Sequence, residues 1–405
     1  MQHILTLNAG SSSIKFSLFD DGEAELVERV RGQIEGLGSE GAGANPEFEA
    51  EKAGKKIADR KLDAREAADH DSALKVVLDF LETEIGKMAI AAVGHRVVHG
   101  GVSFTESIVL DEQRFATLEQ LNPLAPLHQP HNLSGIRAAQ RAFPDAMQVA
   151  CFDTAFHRFH PWVNDTYALP RAFYDQGVRR YGFHGLSYEY VIGRLRQIAP
   201  LHEAGRVVVM HLGNGASMCA IRDGQSVGSS MGFTALDGLP MGTRCGQLDP
   251  GVVLYLLKEK GMTTDQIEDL LYRRSGLKGL SGLSQDMREL EAAGTPEAAQ
   301  AIDYFVFRIR RELGSMAAIL SGLDAVVFCG GIGEHASHIR ERICRGFEWL
   351  GVELDDMRNQ AGDTVISSDR SRARVFVIPT NEEMMIARHT ARLLASGAPD
   401  QAARV

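Results

Sequence analysis

The residues best suited to chemistry are two arginines in short glycine-flanked stretches. Arg96 lies in VGHRVVHGG (residues 93–101), and Arg244 lies in MGTRCG (residues 241–246). A guanidinium group presents paired N–H donors that can bind a carboxylate or a phosphoryl group bidentately. Because the residues around Arg96 are apolar, a buried structural salt bridge is the alternative there. The two stretches therefore indicate either anion binding or structural ion pairs.

Histidines and an aspartate with suitable chemistry lie elsewhere in the chain. His128 follows the residues APL, His184 ends YGFH, and Asp153 follows the strand-like run 147–152. The end of a strand is where α/β proteins place reactive side chains. For each lone histidine, the alternative is a core or surface position without a functional role.

Two adjacent carboxylates, Glu382 and Glu383, follow the strand-like run 374–378. Carboxylate oxygens are suitable ligands for a hard cation such as Mg²⁺. The alternative is that these side chains compensate the dipole at the start of a helix. His95 and His99 are four residues apart without the glutamate of a zinc-peptidase motif, so this pair does not indicate a metal site.

Two polar loops share one plan. NAGSSSIK (residues 8–15) and HLGNG (residues 211–215) each follow an apolar strand-like run and lead into a second strand and an Asp-Gly turn. Backbone N–H groups and hydroxyls in such loops suit phosphate oxygens. The repetition about 200 residues apart predicts a duplicated domain with equivalent loops facing one cleft.

Common nucleotide-binding motifs fit the chain poorly. No G-x-x-x-x-G-K-[ST] motif occurs, which argues against a P-loop enzyme. Residues 331–336 fit the dinucleotide pattern G-x-G-x-x-A, but only about 70 residues follow, too few for a Rossmann domain. A glycine-rich turn at a helix start, which lets a nucleotide approach the backbone, is the better interpretation.

Together these groups are suited to phosphoryl transfer, in which positioning and charge neutralisation account for most of the catalysis. A hydroxyl acceptor needs a base to remove its proton. A carboxylic acid with a pKa of about 4–5 is already ionised at neutral pH and needs none. A site rich in arginine therefore favours an anionic acceptor, because the cations offset its repulsion from ATP.

The surrounding sequence predicts an α/β protein with mixed sheets. Residues 71–87 and 298–320 have helical periodicity between strand-like runs, and 405 residues suggest two domains. The formal net charge of −10 argues against nucleic acid or a membrane surface as partner. Five scattered cysteines, no apolar run of membrane-spanning length and no signal-peptide pattern predict a cytoplasmic protein.

Nine separated motifs resemble those of the acetate kinase family in order and spacing across nearly the whole chain. They are NAGSSSIKFSL, VGHRVVHGG, APLH, FDTAFH, YGFHG, HLGNGAS, MGTRCG, GGIGEH and PTNEE. The resemblance implies the fold of acetate kinases, sugar kinases, actin and the heat-shock chaperone ATPases. In that fold, two duplicated actin-like domains with mixed sheets flanked by helices enclose the active site. It places the domains at residues 1–151, completed by a C-terminal helix at 385–405, and at 152–384.

The activity implied by the resemblance is reversible, direct in-line transfer of the ATP γ-phosphoryl group to acetate, giving acetyl phosphate and ADP. It further implies Mg²⁺, with Mn²⁺ as an alternative, and a homodimer. A sugar or glycerol kinase and a chaperone-like ATPase module are the alternatives within the same superfamily. A propionate kinase, or a kinase for another short-chain acid, is the alternative with the same chemistry.

The resemblance also implies roles for individual residues. The implied catalytic residues are Arg96, Asp153, His184 and Arg244, and the implied metal ligands are Asn8 and Glu382. The residues implied to bind the acceptor are Arg96, Val98, Leu127, His128, Phe183 and Ala235. Those implied to bind ATP are Ser11, Ser13, Lys15, His211, Leu212, Gly213, Asn214, Gly215, Asp286, Met287, Arg288, Gly331, Ile332, Gly333, Glu334 and His335.

The sequence departs from the family pattern at several positions. His335 replaces the usual Asn, Leu186 and Tyr188 replace the common Thr and His, and Ala235 stands where many members have Pro. The smaller Ala235 would leave room for one more methylene of the acceptor, a difference worth only about 1–3 kcal/mol. We interpret Asp153 as a residue that orients Arg or Mg²⁺, because an ionised acid needs no base.

Overall fold

The computed structural model describes residues 2–10, 13–22, 25–37, 46–86, 89–126 and 128–397. Ser11 and Leu127, which the family resemblance implies in binding, lie outside these residues. The chain forms two compact units. Unit 1 comprises Met1–Ala155 and Asn381–Val405, and unit 2 comprises Phe156–Thr380. The boundaries expected from the sequence follow residues 151 and 384, and the assignment of the domains stays a prediction.

Unit 1 is built on one mixed sheet. Its strands are β1 (Gln2–Ala9), β2 (Ser13–Asp21), β3 (Leu26–Glu35), β4 (Glu47–Lys52), β5 (Lys55–Lys61), β6 (Ile90–Val97), β7 (Ile108–Val109) and β8 (Met147–Phe152). Its first helices are α1 (His70–Ile85), α2 (Glu112–Glu119) and α3 (Gln129–Ala142), with a 3₁₀ turn at Asn122–Leu124. Among the described residues, the strand order is β5-β4-β3-β2-β1-β6-β8-β7.

The first hairpin forms as the sequence predicts, because its alternating apolar residues can cover a core. β1 and β2 pair antiparallel from Gln2 opposite Asp21 to the loop end, which places Asn8 opposite Lys15. Apolar side chains of both strands are buried in a cluster with residues of α1 and α3. β1 also pairs with β6 in parallel, and β6 pairs with β8 in parallel.

Unit 2 contains a second mixed sheet. Its strands are β9 (Arg206–Leu212), β10 (Ala216–Arg222), β11 (Gln225–Ser229), β12 (Ala325–Cys329) and β13 (Arg374–Val377). Its helices are α4 (Trp162–Asp165), α5 (Arg171–Asp175), α6 (Gly185–Ile198), α7 (Pro200–Glu203), α8 (Pro250–Lys258), α9 (Thr264–Arg273), α10 (Gly276–Ser281), α11 (Met287–Ala293), α12 (Pro296–Leu320), α13 (Gly330–His335), α14 (Ser337–Cys344) and α15 (Asp356–Ala361). Short 3₁₀ turns occupy Ala155–His157 and Glu348–Leu350.

The two sheets repeat one strand order. β11-β10-β9-β12-β13 of unit 2 corresponds to β3-β2-β1-β6-β8 of unit 1. In each set the first three strands are antiparallel neighbours and the last two run parallel to the third. The predicted α/β fold with mixed sheets flanked by helices is confirmed. Across the described ranges, no helix is both long and apolar enough to cross a membrane.

The chain returns to unit 1 in α16 (Glu382–Ala395), which packs on the sheet at β6. A Cβ on Gly94 of β6 would lie 2.3 Å from Thr390 Oγ1 and 2.6 Å from Ile386 Cγ2. Glycine at this position therefore lets the helix contact the strand directly. The packing brings the first turn of α16, with its two glutamates, to the strand that carries Arg96.

Candidate active site

Arg96, near the end of β6, is held by two carboxylates. Its Nε donates to Asp153 Oδ1 at 2.9 Å, its Nη2 donates to Asp153 Oδ2 at 2.6 Å, and its Nη1 lies 3.3 Å from Glu382 Oε2. The side chains of Arg96 and Asp153 are 19% and 2% exposed. Burial opposes the charged guanidinium, but the charges of Asp153 and Glu382 outweigh it and raise the pKa of Arg96. The arginine therefore stays cationic.

The backbone explains why Asp153 meets Arg96. β6 and β8 are parallel neighbours with Val97 opposite Phe152, and the Asp153 N–H donates to the Val97 carbonyl at 3.1 Å. The pairing thus continues beyond the end of β8. Asp153 engages two nitrogens of one guanidinium, which fixes both the position and the plane of that group.

Two buried amides of α3 hold the segment after Arg96. Asn132 accepts from the Val98 N–H at 3.0 Å and donates to the Ala9 carbonyl at 2.5 Å. Gln129 accepts from the His99 N–H at 3.1 Å and donates to the His99 carbonyl at 3.0 Å. Asn132 thus ties the end of β1 to the segment after β6, and Gln129 fixes the next residue of that segment. Sequence reasoning missed both residues, although polar residues on the apolar face of a helix are a usable signal.

The two residues expected to hold a cation, Asn8 and Glu382, both belong to unit 1. Asn8 stands opposite Lys15 at the loop end of the first hairpin. Burial and the charge of Glu382 raise the pKa of Glu383, while Lys15 and Arg96 oppose that rise. The described residues contain no group of three or more His, Cys, Asp or Glu side chains that could hold a metal ion. Mg²⁺ often uses one or two protein oxygens together with substrate phosphates and water. The side-chain oxygens of Asn8 and Glu382 therefore fit such an ion.

In unit 2, His184 occupies a fixed and unusual position just before α6. Its backbone is left-handed, with φ +58°, and the preceding carbonyl, that of Phe183, accepts from His157 Nε2 at 2.9 Å. His184 Nδ1 lies 2.8 Å from Ser217 Oγ of β10. The ring stacks on His211 of β9, with 4.3 Å between ring centroids. Contacts from two strands therefore orient this imidazole.

Arg244 and His184 converge on Gly215 in the HLGNG loop between β9 and β10. A Cβ on Gly215 would lie 3.1 Å from Arg244 Nη2 and 3.2 Å from His184 Nε2. Arg244 Nη1 donates to the Ala235 carbonyl at 2.8 Å. A cation, an imidazole nitrogen and the backbone of a glycine loop thus meet at one point. Such an arrangement can bind and neutralise a phosphoryl group.

Comparison with known proteins identifies the family. The sequence profile of the acetokinase family matches residues 3–388. The acetate kinase of Methylocella silvestris is 62% identical over 404 residues, which cover 96% of this chain and 98% of that protein. The chain belongs to the acetokinase family. It is therefore a kinase, an enzyme of the transferase class.

Two solved structures are similar to this acetokinase family member over nearly its whole length. They are a propionate kinase from Francisella tularensis subsp. tularensis (37% identity, TM-score 0.89) and the acetate kinase of Porphyromonas gingivalis (37% identity, TM-score 0.86). Each match covers 97% of this chain and 100% of the other chain.

The GGIGEH motif of this acetokinase forms α13 immediately after β12. Glu334 Oε1 accepts from the Gly330 N–H at 2.8 Å and from the Thr380 N–H at 3.2 Å. The buried Arg340 donates to two carbonyl oxygens near the end of α13, at 3.0 and 2.8 Å. A Cβ on Gly331 would meet no atom within 4 Å among the described residues. The motif is thus held from both ends, with open space beside Gly331.

The segment Asp286–Arg288 has a local role at the start of α11. The carboxylate of Asp286 accepts from the Arg288 N–H at 2.8 Å and from Arg288 Nη2 at 2.6 Å. Hydrogen bonds from Arg288 lower the pKa of Asp286 to about 2. The Arg288 side chain is 89% exposed. A nucleotide contact by this segment stays a prediction.

The structure distributes the expected site residues between the two units. Unit 1 contains Asn8, Ser13, Lys15, Arg96, buried Val98, half-buried His128, Asp153 and Glu382. Unit 2 contains buried Phe183, His184, His211, Leu212, Gly213, Asn214, Gly215, half-buried Ala235, Arg244, Asp286, Met287, Arg288, Gly331, Ile332, Gly333, Glu334 and His335. Their binding roles stay predictions.

Replacing Gly215 by alanine should lower kcat about 10- to 100-fold without unfolding unit 2. The added methyl group would press on Arg244 Nη2 and His184 Nε2, which would have to shift by a few tenths of an ångström, and misplacement of about 1 Å can cost 10²-fold in rate. Steady-state kinetics and a thermal unfolding curve would measure both effects. Gly193→Ala in α6 is the matched control, because its Cβ would meet nothing within 4 Å among the described residues. Wild-type turnover in Gly215→Ala would show that the approach of Arg244 Nη2 and His184 Nε2 to Gly215 does not contribute to the rate.

Proposed function

We propose that this chain reversibly transfers the γ-phosphoryl group of ATP to acetate, giving acetyl phosphate and ADP. The observation that carries the proposal is the convergence of Arg244 Nη2 and His184 Nε2 on Gly215. In phosphoryl transfer, charge spreads over the equatorial oxygens of the transferring group, and preorganised donors stabilise it. The transfer is direct and in line, with no covalent intermediate on the enzyme.

The nucleotide is held by unit 2 in this proposal. The HLGNG loop offers backbone N–H groups to the phosphates, and the open space at Gly331 lets the nucleotide approach α13. Glu334 and Arg340 support the backbone of α13 there. His335 replaces the usual Asn of the family, so its contact with the nucleotide would differ in detail.

The acceptor is a carboxylate, and the environment of Asp153 supports this choice. A hydroxyl acceptor would need a base, but Asp153 directs both of its oxygens to Arg96. An acetate ion is already deprotonated and needs a cation to bring it to ATP. We assign Arg96 that role, with Asp153 orienting the guanidinium and His128 contributing to binding nearby.

Asn8 and Glu382 would hold Mg²⁺, or Mn²⁺ as an alternative, and Lys15 would lie near the nucleotide phosphates. When bound, the ion would neutralise phosphate charge and help to orient the phosphates. The oxygen donors of both side chains suit a hard cation. Glu382 would also supply negative charge to the ion.

Propionate is the second candidate acceptor. A solved structure similar to this chain, with a TM-score of 0.89, is that of a propionate kinase. We propose that Val98, Leu127, Phe183 and Ala235 bind the methyl group of the acceptor. Alanine at position 235 is smaller than the proline of many family members and would leave space for one methylene.

The proposal also covers the assembly and the compartment. None of the five cysteines, all of which lie among the described residues, forms a disulfide bond, which agrees with a reducing cytoplasm. We propose a homodimer, as the family resemblance implies. Large exposed apolar side chains on unit 2, including Phe159, Trp162 and Phe173, are consistent with a protein interface.

A hydroxylamine trap tests the function directly. With ATP and Mg²⁺, acetate should give acetohydroxamate, whereas glycerol should give no trapped product. Failure to trap a product from acetate, propionate or butyrate would refute a carboxylate kinase, and ADP release with glycerol would favour a sugar kinase. Comparison of kcat/KM decides the acceptor, because a preference of about tenfold for propionate would replace acetate.

A further inference from the structure

The side chain of His157 lies between strand β11 and the segment that precedes His184. His157 ends the 3₁₀ turn at Ala155–His157 and is 0% exposed. Its Nδ1 lies 2.8 Å from Ser226 Oγ of β11, and its Nε2 donates to the Phe183 carbonyl at 2.9 Å. One buried imidazole therefore joins β11 to the residue before His184.

The protonation of His157 follows from these two partners. A carbonyl oxygen can only accept, so the Nε2 atom carries a proton. Burial lowers the pKa of His157 to about 4, although the hydrogen bond to Phe183 opposes this change, so the ring is neutral at neutral pH. Its Nδ1 is then an acceptor, and the Ser226 hydroxyl donates to it. The Ser226 oxygen can accept in turn from His160 Nε2, 2.7 Å away.

The backbone of Gly182 lies directly on the ring of His157. Gly182 has φ +74°, and a Cβ there would lie 2.7 Å from both Cγ and Cδ2 of His157. Glycine is therefore needed at this position both for its backbone angles and for the close approach. The imidazole thus contacts two consecutive residues, Gly182 and Phe183, immediately before His184.

The backbone of His184 has a conformation that needs such support. Its φ is +58°, in the left-handed region that few residues other than glycine adopt. A conformation of this kind persists where the surrounding structure holds it. The Phe183 carbonyl and the His184 N–H belong to one planar peptide group. Because rotation of that plane changes φ of His184, a hydrogen bond that fixes the carbonyl also restrains this angle.

We propose that His157 is a positioning residue, which fixes the peptide plane before His184 and thereby places the His184 imidazole beside Gly215. It acts through the backbone and not by contact with the substrates. Under the proposed function, on which this inference rests, a turn of that plane would move His184 Nε2 away from the transferring phosphoryl group. Misplacement of about 1 Å can cost about 10²-fold in rate.

Two substitutions at His157 separate positioning from packing. Phenylalanine fills the space with a ring but has no donor for the Phe183 carbonyl, whereas the amide of glutamine keeps one. In steady-state kinetics, we expect His157→Phe to lower kcat about 10- to 100-fold with little change in KM for ATP. His157→Gln should recover most of that loss. A role in packing alone predicts the reverse order, because an apolar ring is the better filling for a buried site.

Crystal structures of the wild type and both variants without substrates give a readout that does not depend on activity. The φ of His184 should stay near +58° in His157→Gln. In His157→Phe, the Phe183 carbonyl should turn and φ of His184 should change. His338→Phe and His338→Gln are the matched controls, because His338 belongs to the same unit and its side chain is 47% exposed. Both should keep the kcat and the His184 backbone of the wild type.

Wild-type kcat in His157→Phe, or an unchanged His184 backbone in its structure, would overturn the proposal. If His157→Phe does not fold, Ser226→Ala is the second route, because it removes the donor to Nδ1 and releases one edge of the ring. Its kcat should fall about two- to tenfold, and wild-type kcat there would also overturn the proposal. Since the crystal structures need no substrate, failure of the hydroxylamine trap with the expected change at His184 would remove the proposed function and leave the positioning by His157 standing.

Discussion

Replacing Arg96 by alanine should lower kcat/KM for acetate by about 10³-fold, because the cation proposed to bind the acceptor is lost. The same change leaves the carboxylate of Asp153, 2% exposed, without its bidentate partner. Removing one member of a buried ion pair costs about 3–5 kcal/mol. We therefore expect a lower unfolding temperature as well as lower activity. Acetohydroxamate formation and calorimetry would measure the two effects.

Two further variants separate the effects of Arg96→Ala. The double variant Arg96→Ala, Asp153→Asn removes the uncompensated buried charge, so it should regain much of the stability and none of the activity. Arg141→Ala is the control within unit 1, because Arg141 pairs with Asp71 on an exposed surface, where such pairs contribute about 0–1 kcal/mol. Activity that returns with stability in the double variant would show that Arg96 has a structural role alone.

Elements with clear local patterns could be predicted from the sequence. The strand-like runs 147–152 and 374–378 correspond to the strands β8 and β13, and the periodic segment 298–320 lies in α12. Their ends are marked by polar, proline or glycine residues that stop the pattern. The repeated loop plan also predicted two sheets of similar construction, because equivalent hairpins start both of them.

The residues that support the site were harder to predict from local sequence patterns, because their contacts join residues that are far apart in the sequence. Arg340 lies in the charged segment SHIRERIC beside Arg342, and no local feature distinguishes the two. Arg340 is 1% exposed, whereas the Arg342 side chain is 36% exposed. The difference arises from carbonyls that only the fold brings near. His157, 26 positions from Phe183, is likewise an ordinary polar residue until the fold brings the two together.

The resemblance to the family assigned a role to Arg96 that the spacing of residues alone left undecided. From the residues, Arg96 was compatible with anion binding and, as the alternative, with a buried structural salt bridge. The structure shows a bidentate ion pair between Arg96 and Asp153. This ion pair is compatible with anion binding, because an arginine held by one carboxylate can present its outer edge to the carboxylate of an acceptor.

Replacing Arg244 by alanine should lower kcat by about 10³-fold while changing KM for ATP much less. An arginine that neutralises a transferring phosphoryl group acts mainly in the transition state, where comparable arginines contribute roughly 10³- to 10⁵-fold. The nucleotide would keep its contacts with the loops of unit 2. Initial rates at varied ATP and acetate concentrations, in both directions of the reaction, would measure the change.

Arg274→Ala is the matched control for Arg244→Ala, because Arg274 belongs to the same unit and forms an exposed pair with Asp269. It should retain wild-type turnover. Arg244→Lys keeps the charge but loses the planar fork of donors, so its rate should fall between those of the wild type and the alanine variant. A rise in KM for ATP with unchanged kcat would make Arg244 a ground-state nucleotide contact. That result would also weaken the convergence at Gly215 as evidence for the reacting phosphoryl position.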